Sequence, residues 1–388
     1  MLCGGLVRSF SVWQRRCAGS PWRGFGLTLA AAASCTRASP LQTPEGPSSA
    51  AMTAGIDSLF AAYTGTVPGA SLIVIRDGAP VVARSYGLSD LDARTPVTQT
   101  TNFRLASLTK QFTATAVLLL VKEGRVTLDD RVRDILPELP AYAADVRVRH
   151  LLTHTSGLWA YEDFVPDSQT TQVHDRDVPG LIARADSLYF PPGSAFRYSN
   201  TGYALLALIV ERRSGTPFAR FLRTRIFEPP GMTSTVAHES GVSAVPHRAF
   251  GYSIESGTGK FLPTDQSSTS AVLGDGGIYS SVNDLALWDA ALDRHALVDD
   301  ATQRAIWTPM VLTGGATTRY GFGWFIDNAG DDLGVSHHGE TMGFTNFIIK
   351  YPRRRLTVVV LTNRSGGAPW DIAIRVARLF GGPPVGTP

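Results

Sequence analysis

The sequence predicts an α+β protein: an antiparallel sheet built from both chain ends and flanked by helices, plus a mainly helical subdomain between them. Three observations carry this. Two β-rich runs, Ala70–Arg76 and Pro80–Tyr86, lie near the start, separated by Asp77-Gly78-Ala79. Four more, Gly321–Asp327, Val335–Gly339, Phe344–Tyr351 and Leu356–Thr362, lie near the end. Between these sets, residues 125–300 read as helices and long loops, following an apolar helical stretch, Leu108–Glu123.

Each element has its local reason. Gly55–Tyr63 has Ile56, Leu59 and Phe60 on one side, an amphipathic helix. Asp-Gly between β-rich runs is a hairpin signal. Ser71-Leu72-Ile73-Val74-Ile75 is apolar on both faces, so the sheet should be covered on both sides. Thr95–Asn102 is polar and loop-like. Leu108–Glu123 contains no proline or glycine and is apolar nearly all round, as a buried helix is, and Gly124 supplies its stop. Val148–Leu152 leads into Thr153-His154-Thr155-Ser156-Gly157-Leu158, where His154 and Ser156 read as braces for a helix end. Trp159–Asp177, polar with scattered aromatics, reads as a lid or pocket wall. Tyr203–Arg213 is a helix rich in Ala, Leu, Ile and Val. Ser281-Val282-Asn283-Asp284 is a capping box opening a helix through Trp288 and Leu292. Pro352–Arg355 is a turn, and Asp371–Phe380 a closing helix.

Composition narrows the function. The formal charge is +3, yet residues 1–45 hold five arginines and one glutamate, so the remaining body is close to neutral at −1. No electrostatic footprint for nucleic acid remains there. The Arg353-Arg354-Arg355 run reads as a solvated hairpin tip. All three cysteines (Cys3, Cys17, Cys35) lie in the leader, which excludes disulfides and cysteine ligands from the body. His150 and His154 stand four apart, but Leu151 occupies the position where a zinc protease has glutamate, so no metal site and no cofactor are expected.

Residues 1–35 have the layout of a secretory leader: arginines, the short apolar run Leu27–Ala33, then small residues. Export is the first expectation, periplasmic or secreted, with Cys35 as a candidate lipid anchor. A mitochondrial presequence, or a cytoplasmic product starting at Met52, are the alternatives. Residues 36–54 read as a disordered linker. Residues 55–384 form the folded domain, with a sheet subdomain at about 55–102 and 318–384, a helical one at about 103–317, and no transmembrane helix. The sequence does not set the oligomeric state.

The chemistry begins at Phe103-Arg104-Leu105-Ala106-Ser107-Leu108-Thr109-Lys110. On a helix, Ser107 and Lys110 share one face, a turn apart. The helix N-terminus favours developing negative charge, and burial lowers the proton affinity of an amine. A hydroxyl beside such an amine is an activated nucleophile. Ser-x-x-Lys alone is weak, since serine commonly caps helices. Of four lysines, however, only Lys110 has serine three positions before it, and Tyr198-Ser199-Asn200 is the one Tyr-x-Asn among eleven tyrosines. A third segment, His337-His338-Gly339, is followed by Thr341-Met342-Gly343-Phe344.

Together with Leu151–Leu158, in this order and spacing, the three segments resemble the serine β-lactamase-related superfamily: class C β-lactamases, family VIII carboxylesterases and D-alanyl-D-alanine carboxypeptidase-like serine hydrolases. The resemblance covers roughly residues 55–380 and implies the β-lactamase/transpeptidase-like fold. It implies Ser107 as nucleophile, Lys110 and Tyr198 sharing its proton, and Asn200 orienting Lys110 and the substrate carbonyl. The backbone NH groups of Ser107 and Glu340 would form the oxyanion hole, with His337, His338 and Gly339 on the strand along which substrate lies. Whether Lys110 or Tyr198 is the base stays open; a phenol lowered by a nearby ammonium is one candidate.

One departure shifts the expected substrate. Many β-lactamases and penicillin-binding proteins have Lys-Thr-Gly at the third segment. Here His337 takes the lysine position, and imidazole holds a carboxylate less firmly than a permanent ammonium. Ser-Asp-Asn and Gly-x-Ser-x-Gly are both absent, against the class A branch and an α/β-hydrolase. The expectation is a serine hydrolase acting through an acyl-enzyme on small esters, amides or D-amino-acid peptides. Carboxylesterase ranks first, D-alanyl-D-alanine carboxypeptidase second and weak β-lactamase third. A slowly deacylating penicillin-binding sensor is the rival from another class.

Overall fold

The computed structural model describes residues 49–329 and 332–383. The leader, and the expected linker up to residue 48, lie outside the described residues. Helix α1 (Ser49–Leu59) begins within the stretch expected to be linker. Met52, Ile56 and Leu59 recur at helical spacing and pack into one apolar cluster, which is what orders residues 49–54.

The hairpin of β1 (Ala70–Arg76) and β2 (Ala79–Tyr86) closes on Asp77 and Gly78, with φ of 53° and 79°. Positive φ at both turn residues matches the right-handed twist of the strands. Helix α2 (Lys110–Lys122) follows a short 3₁₀ turn, Ala106–Thr109, and every residue from Lys110 to Leu120 is buried. Helix α3 (Asn200–Ser214) starts three residues before its apolar stretch, and α4 (Val282–Asp293) begins at Ser281. There Ser281 Oγ accepts from Asp284 N at 3.2 Å, but the box does not close as the sequence suggests. The Asp284 carboxylate instead accepts from Ser234 N and Thr235 Oγ1, tying α4 to a neighbouring loop.

The C-terminal strands are β3 (Phe325–Ala329), β4 (Asp332–Thr341), β5 (Phe344–Tyr351) and β6 (Leu356–Thr362), followed by α5 (Pro369–Leu379). One antiparallel sheet runs β3-β4-β5-β6-β1-β2, with β1 seated beside β6 in the register Ala70↔Thr362 to Arg76↔Leu356. Both chain ends thus build it. Alternation along β1 sends Leu72 and Val74 to the cluster of Phe60, Val360 and Val376, while Ile73 and Ile75 join Val359, Leu285 and Trp288 on the other face. Lys350 on β5 is buried against Asp289 and Asp293 of α4, at 2.8 and 2.6 Å.

The region expected to be mainly helical also holds short strands. Phe103–Arg104, Ile278–Ser280 and Val236–Ala237 form a small separate sheet, which delivers the chain to Ser107. No described helix is long and apolar enough to cross a membrane.

Candidate active site

Of residues 101–120, Ser107 alone is not buried. Ala106 before it adopts φ 50°, a left-handed conformation that costs a non-glycine residue about 1–3 kcal/mol. The chain turns there from strand into 3₁₀ turn, leaving the Ser107 hydroxyl at the cleft. Arg104, Tyr161, Glu162, Asn200 and Glu340 share that cleft.

Lys110 is fully buried beneath Ser107. Its Nζ lies 2.9 Å from Ser107 Oγ, 2.8 Å from Asn200 Oδ1 and 2.9 Å from the Asp275 carbonyl oxygen. As an ammonium, Lys110 donates one proton to each. As a neutral amine it keeps two, and the carbonyl and the amide oxygen, which only accept, claim both. The lone pair then faces Ser107 Oγ. Burial brings Lys110 down to about 8, opposed by the negative charges of Asp275 and Glu162. The Asn200 amide is fixed end for end, because its Nδ2 donates to Glu162 Oε1 at 2.7 Å.

Tyr198 adjoins both catalytic candidates. Lys110 Nζ is 5.0 Å from its ring centroid. Its buried hydroxyl has no partner at hydrogen-bond distance among the described residues, while the nearby Ser107 hydroxyl eases its ionisation. A phenol lowered toward neutrality is not what results. Burial raises Tyr198 well above 10, and the net effect keeps the proton on oxygen. His154, from the Leu151–Leu158 motif, stacks on it with centroids 4.1 Å apart and accepts from Ser199 N at 3.1 Å. The motif therefore braces the Tyr198 segment.

Gly339 explains the approach of β4. A Cβ there would come within 2.2 Å of the Leu105 carbonyl, so only glycine lets the strand lie against the turn holding Ser107. Pairing with β3 covers β4 only from Asp332 to Ser336, leaving residues 337–341 without a strand partner on that edge among the described residues. Exposed Glu340 sits on this open edge.

The histidines differ from expectation. His337 does not line the strand as an accessible group; it is fully buried. Its Nδ1 lies 2.6 Å from the His338 carbonyl, which can only accept, so Nδ1 carries the proton and Nε2 accepts from Tyr320 Oη at 2.9 Å. Burial, then His338, hold His337 well below its ordinary value. Half-buried His338 is lowered too, by burial and then Lys110, so this strand segment presents no cation near neutral pH.

Four residues of the site escape sequence reasoning. Glu162 and Tyr161 fall in the stretch read as a pocket wall, Asp275 in the Gly274–Gly277 turn, and Tyr320 in a loop. Nothing in their spacing links them to Ser107. Glu162 meets Asn200 across 38 positions of chain, Tyr161 meets Asp275 across 114, and Asp275 meets Lys110 across 165. Among the described residues, no group of three His, Cys, Asp or Glu side chains could hold a metal ion.

Comparison with known proteins shows the family and the fold. The family described as Beta-lactamase matches residues 56–381. Penicillin-binding protein 4* of Bacillus subtilis (strain 168) is 34% identical over 339 residues, 83% of this chain and 73% of that protein. A D-aminopeptidase of Gluconobacter oxydans (strain 621H) is 30% identical over 341 residues, 86% of this chain but only 63% of the relative. Among solved structures, the octameric penicillin-binding protein homologue from Pyrococcus abyssi superposes with a TM-score of 0.73 at 30% identity, covering 86% of this chain and 77% of that one.

Proposed function

Since the chain belongs to the Beta-lactamase family and is a serine hydrolase, we propose that it hydrolyses amides or short peptides whose acyl half is a D-amino acid with a free amino group. The observation that carries this reading is Glu162. One of its carboxylate oxygens accepts from Asn200, while the other, Oε2, is buried without a partner among the described residues, in the cleft of Ser107. A buried carboxylate oxygen is stabilised by a cationic donor, and a substrate ammonium supplies one. The D configuration follows the name of the Gluconobacter oxydans relative.

In this reading Ser107 Oγ attacks the substrate carbonyl while neutral Lys110 takes its proton. Backbone NH groups of Ser107 and Glu340 donate to the oxyanion. The proton that Lys110 took from Ser107 then returns to the departing amine by way of the Tyr198 hydroxyl. Water then attacks the acyl-enzyme with the same groups in reverse. Asn200 holds Lys110 in register throughout.

Small esters are the second reading. Alkoxide-type leaving groups need less protonation than amines, and the uncharged His337–His338 segment offers no anchor for a carboxylate. Both readings are tested with D- and L-amino-acid nitroanilides, their N-acetylated forms, nitrophenyl esters and a chromogenic cephalosporin. Turnover fastest on free-amine D-amides, and lost in Ser107→Ala, is the expected result. Equal rates on free and N-acetylated substrates would remove Glu162 from recognition, and full activity in Ser107→Ala would remove the nucleophile.

A further inference from the structure

Among the described residues, Asp275 meets Lys110 with its backbone while holding a buried carboxylate in the same pocket wall. Its carbonyl accepts from Lys110 Nζ at 2.9 Å, and its Oδ2 accepts from Tyr161 Oη at 3.0 Å. The one-turn helix carrying it, Leu273–Gly276, is tightly held. Asp175 accepts from the backbone NH groups of Leu273 and Gly274 at 2.8 and 2.9 Å, and Thr113 Oγ1 donates to the Gly274 carbonyl at 2.7 Å. A Cβ on Gly274 would stand 2.3 Å from the Tyr203 carbonyl, so the turn rests directly on α3. Asp275 therefore has little freedom, and neither has the distance between its charge and the amine.

We propose that Asp275 is a positioning residue whose Tyr161-clamped carboxylate sets how readily Lys110 gives up its proton, and thereby the acid limb of the reaction. This rests on Lys110 being the base in the reading above. The charged and titratable groups around Asp275 are Lys110 on α2, Glu162 and Tyr161 on the 161–164 turn, Arg104 on the entering strand and Asp175 on the 175–177 turn. Around Lys110, Tyr198, Tyr203, His154, His337 and His338 complete the set. Of these, Asp275 is the largest opponent of burial at Lys110, ahead of Glu162, and Lys110 in turn is the largest influence drawing the Asp275 carboxyl down. Asp275 itself is raised to about 7 by burial, so the two titrate as a pair.

The charge separates from the geometry in Asp275→Asn, which keeps the backbone carbonyl and an oxygen that can accept from Tyr161. Losing the carboxylate removes a stabiliser of the ammonium, so Lys110 deprotonates at lower pH. With only four lysines in the chain, ¹³Cε-lysine NMR can follow Lys110 directly, assigned by its absence in Lys110→Arg. Its midpoint, about 8 in the wild type, moves down by about one pH unit, a roughly tenfold change in the ratio of neutral to charged amine. The acid limb of kcat/KM moves with it. Tyr161→Phe moves both in the same direction by less, because an unclamped carboxylate takes up its proton sooner. Unchanged resonances of the other three lysines verify the fold in each variant. A Lys110 midpoint that stays put or rises in Asp275→Asn overturns the proposal, whatever the activity. A midpoint that falls while no Ser107-dependent hydrolysis exists would leave the coupling standing and overturn the functional reading instead.

Discussion

Glu162 accepts a 2.7 Å hydrogen bond from Asn200 Nδ2, and this contact decides which end of the Asn200 amide meets Lys110. An acid on a loop thereby sets the hydrogen-bond direction at an amine it does not touch. Asn200→Asp breaks the arrangement from both sides. It sets two carboxylates face to face and gives Lys110 an anionic partner, which raises the amine's proton affinity. Turnover at pH 7 is expected to fall at least ~100-fold, in line with losses on removing general-base function, with the acid limb moved upward. Steady-state kinetics from pH 6 to 10 measure both, and an unmoved acid limb refutes the assigned role of Asn200.

For a nitrophenyl ester that carries no amino group, the wild-type pH profile follows from two groups. Lys110 acts only as the neutral amine, so kcat/KM rises with pH through a midpoint near 8. At pH 7 about a tenth of the enzyme holds the neutral amine. Tyr198, raised well above 10, keeps its proton, so no alkaline limb appears below about pH 10. The stability linkage has its own sign. Lys110 is lowered on folding from 10.5 to about 8, so across that window the unfolded chain binds more protons, and this group's contribution to stability increases with pH. Comparing wild type with Lys110→Met by urea unfolding at pH 7.5 and 9.5 isolates that contribution. A profile that falls from pH 7 to 9 contradicts the base assignment.

The elements legible in the sequence are those made by local signals. Asp77-Gly78 announces its hairpin, the unbroken apolar run after Ser107 announces a buried helix, and Phe344–Tyr351 and Leu356–Thr362 emerge as the strands expected. Motif and spacing mark Ser107, Lys110, Tyr198 and Asn200, and the fold gathers them around one cleft. The side chains that tune them carry no such mark. Glu162, Asp275 and Tyr320 act through polar contacts between separate elements, and such contacts leave no periodicity behind. His337 shows the converse: its strand position is readable, but its seal depends on Tyr320, a loop residue 17 positions earlier that no sequence pattern connects to it.

Gly339→Ala tests whether the close approach of β4 matters for chemistry. The added Cβ would meet the Leu105 carbonyl at 2.2 Å and Leu108 Cδ1 at 2.9 Å, both beside Ser107. Backbone cannot yield as a flexible side-chain tip does, so strand and turn must separate. An oxyanion donor on the neighbouring Glu340 would then be misplaced, and loss of one such donor costs about 10²–10³ in kcat. The variant is expected to bind substrate nearly as before but to acylate at least ~100-fold more slowly. Stopped-flow acylation with a nitrophenyl ester reads this directly; a wild-type acylation rate in a folded Gly339→Ala protein rules out the strand's part in the oxyanion site.

Lys350 bears on stability alone. It is buried on β5 between Asp289 and Asp293 of α4, and Thr357 Oγ1 donates to the same Asp289 carboxylate at 2.6 Å. In the ladder it pairs with Val335, four positions along β4 from Gly339, roughly 13 Å from the cleft end of that strand. Lys350→Met keeps the volume and removes the cation, leaving two carboxylates facing an apolar chain. Breaking a buried pair in this way costs about 3–5 kcal/mol. Adding Asp289→Asn to Lys350→Met removes one stranded charge and recovers part of the loss. Urea unfolding of the single and double variants at pH 7 measures these differences, with Ser107 acylation at low temperature expected to persist. A double variant no more stable than Lys350→Met would mean that stranded charge is not the cause of the deficit.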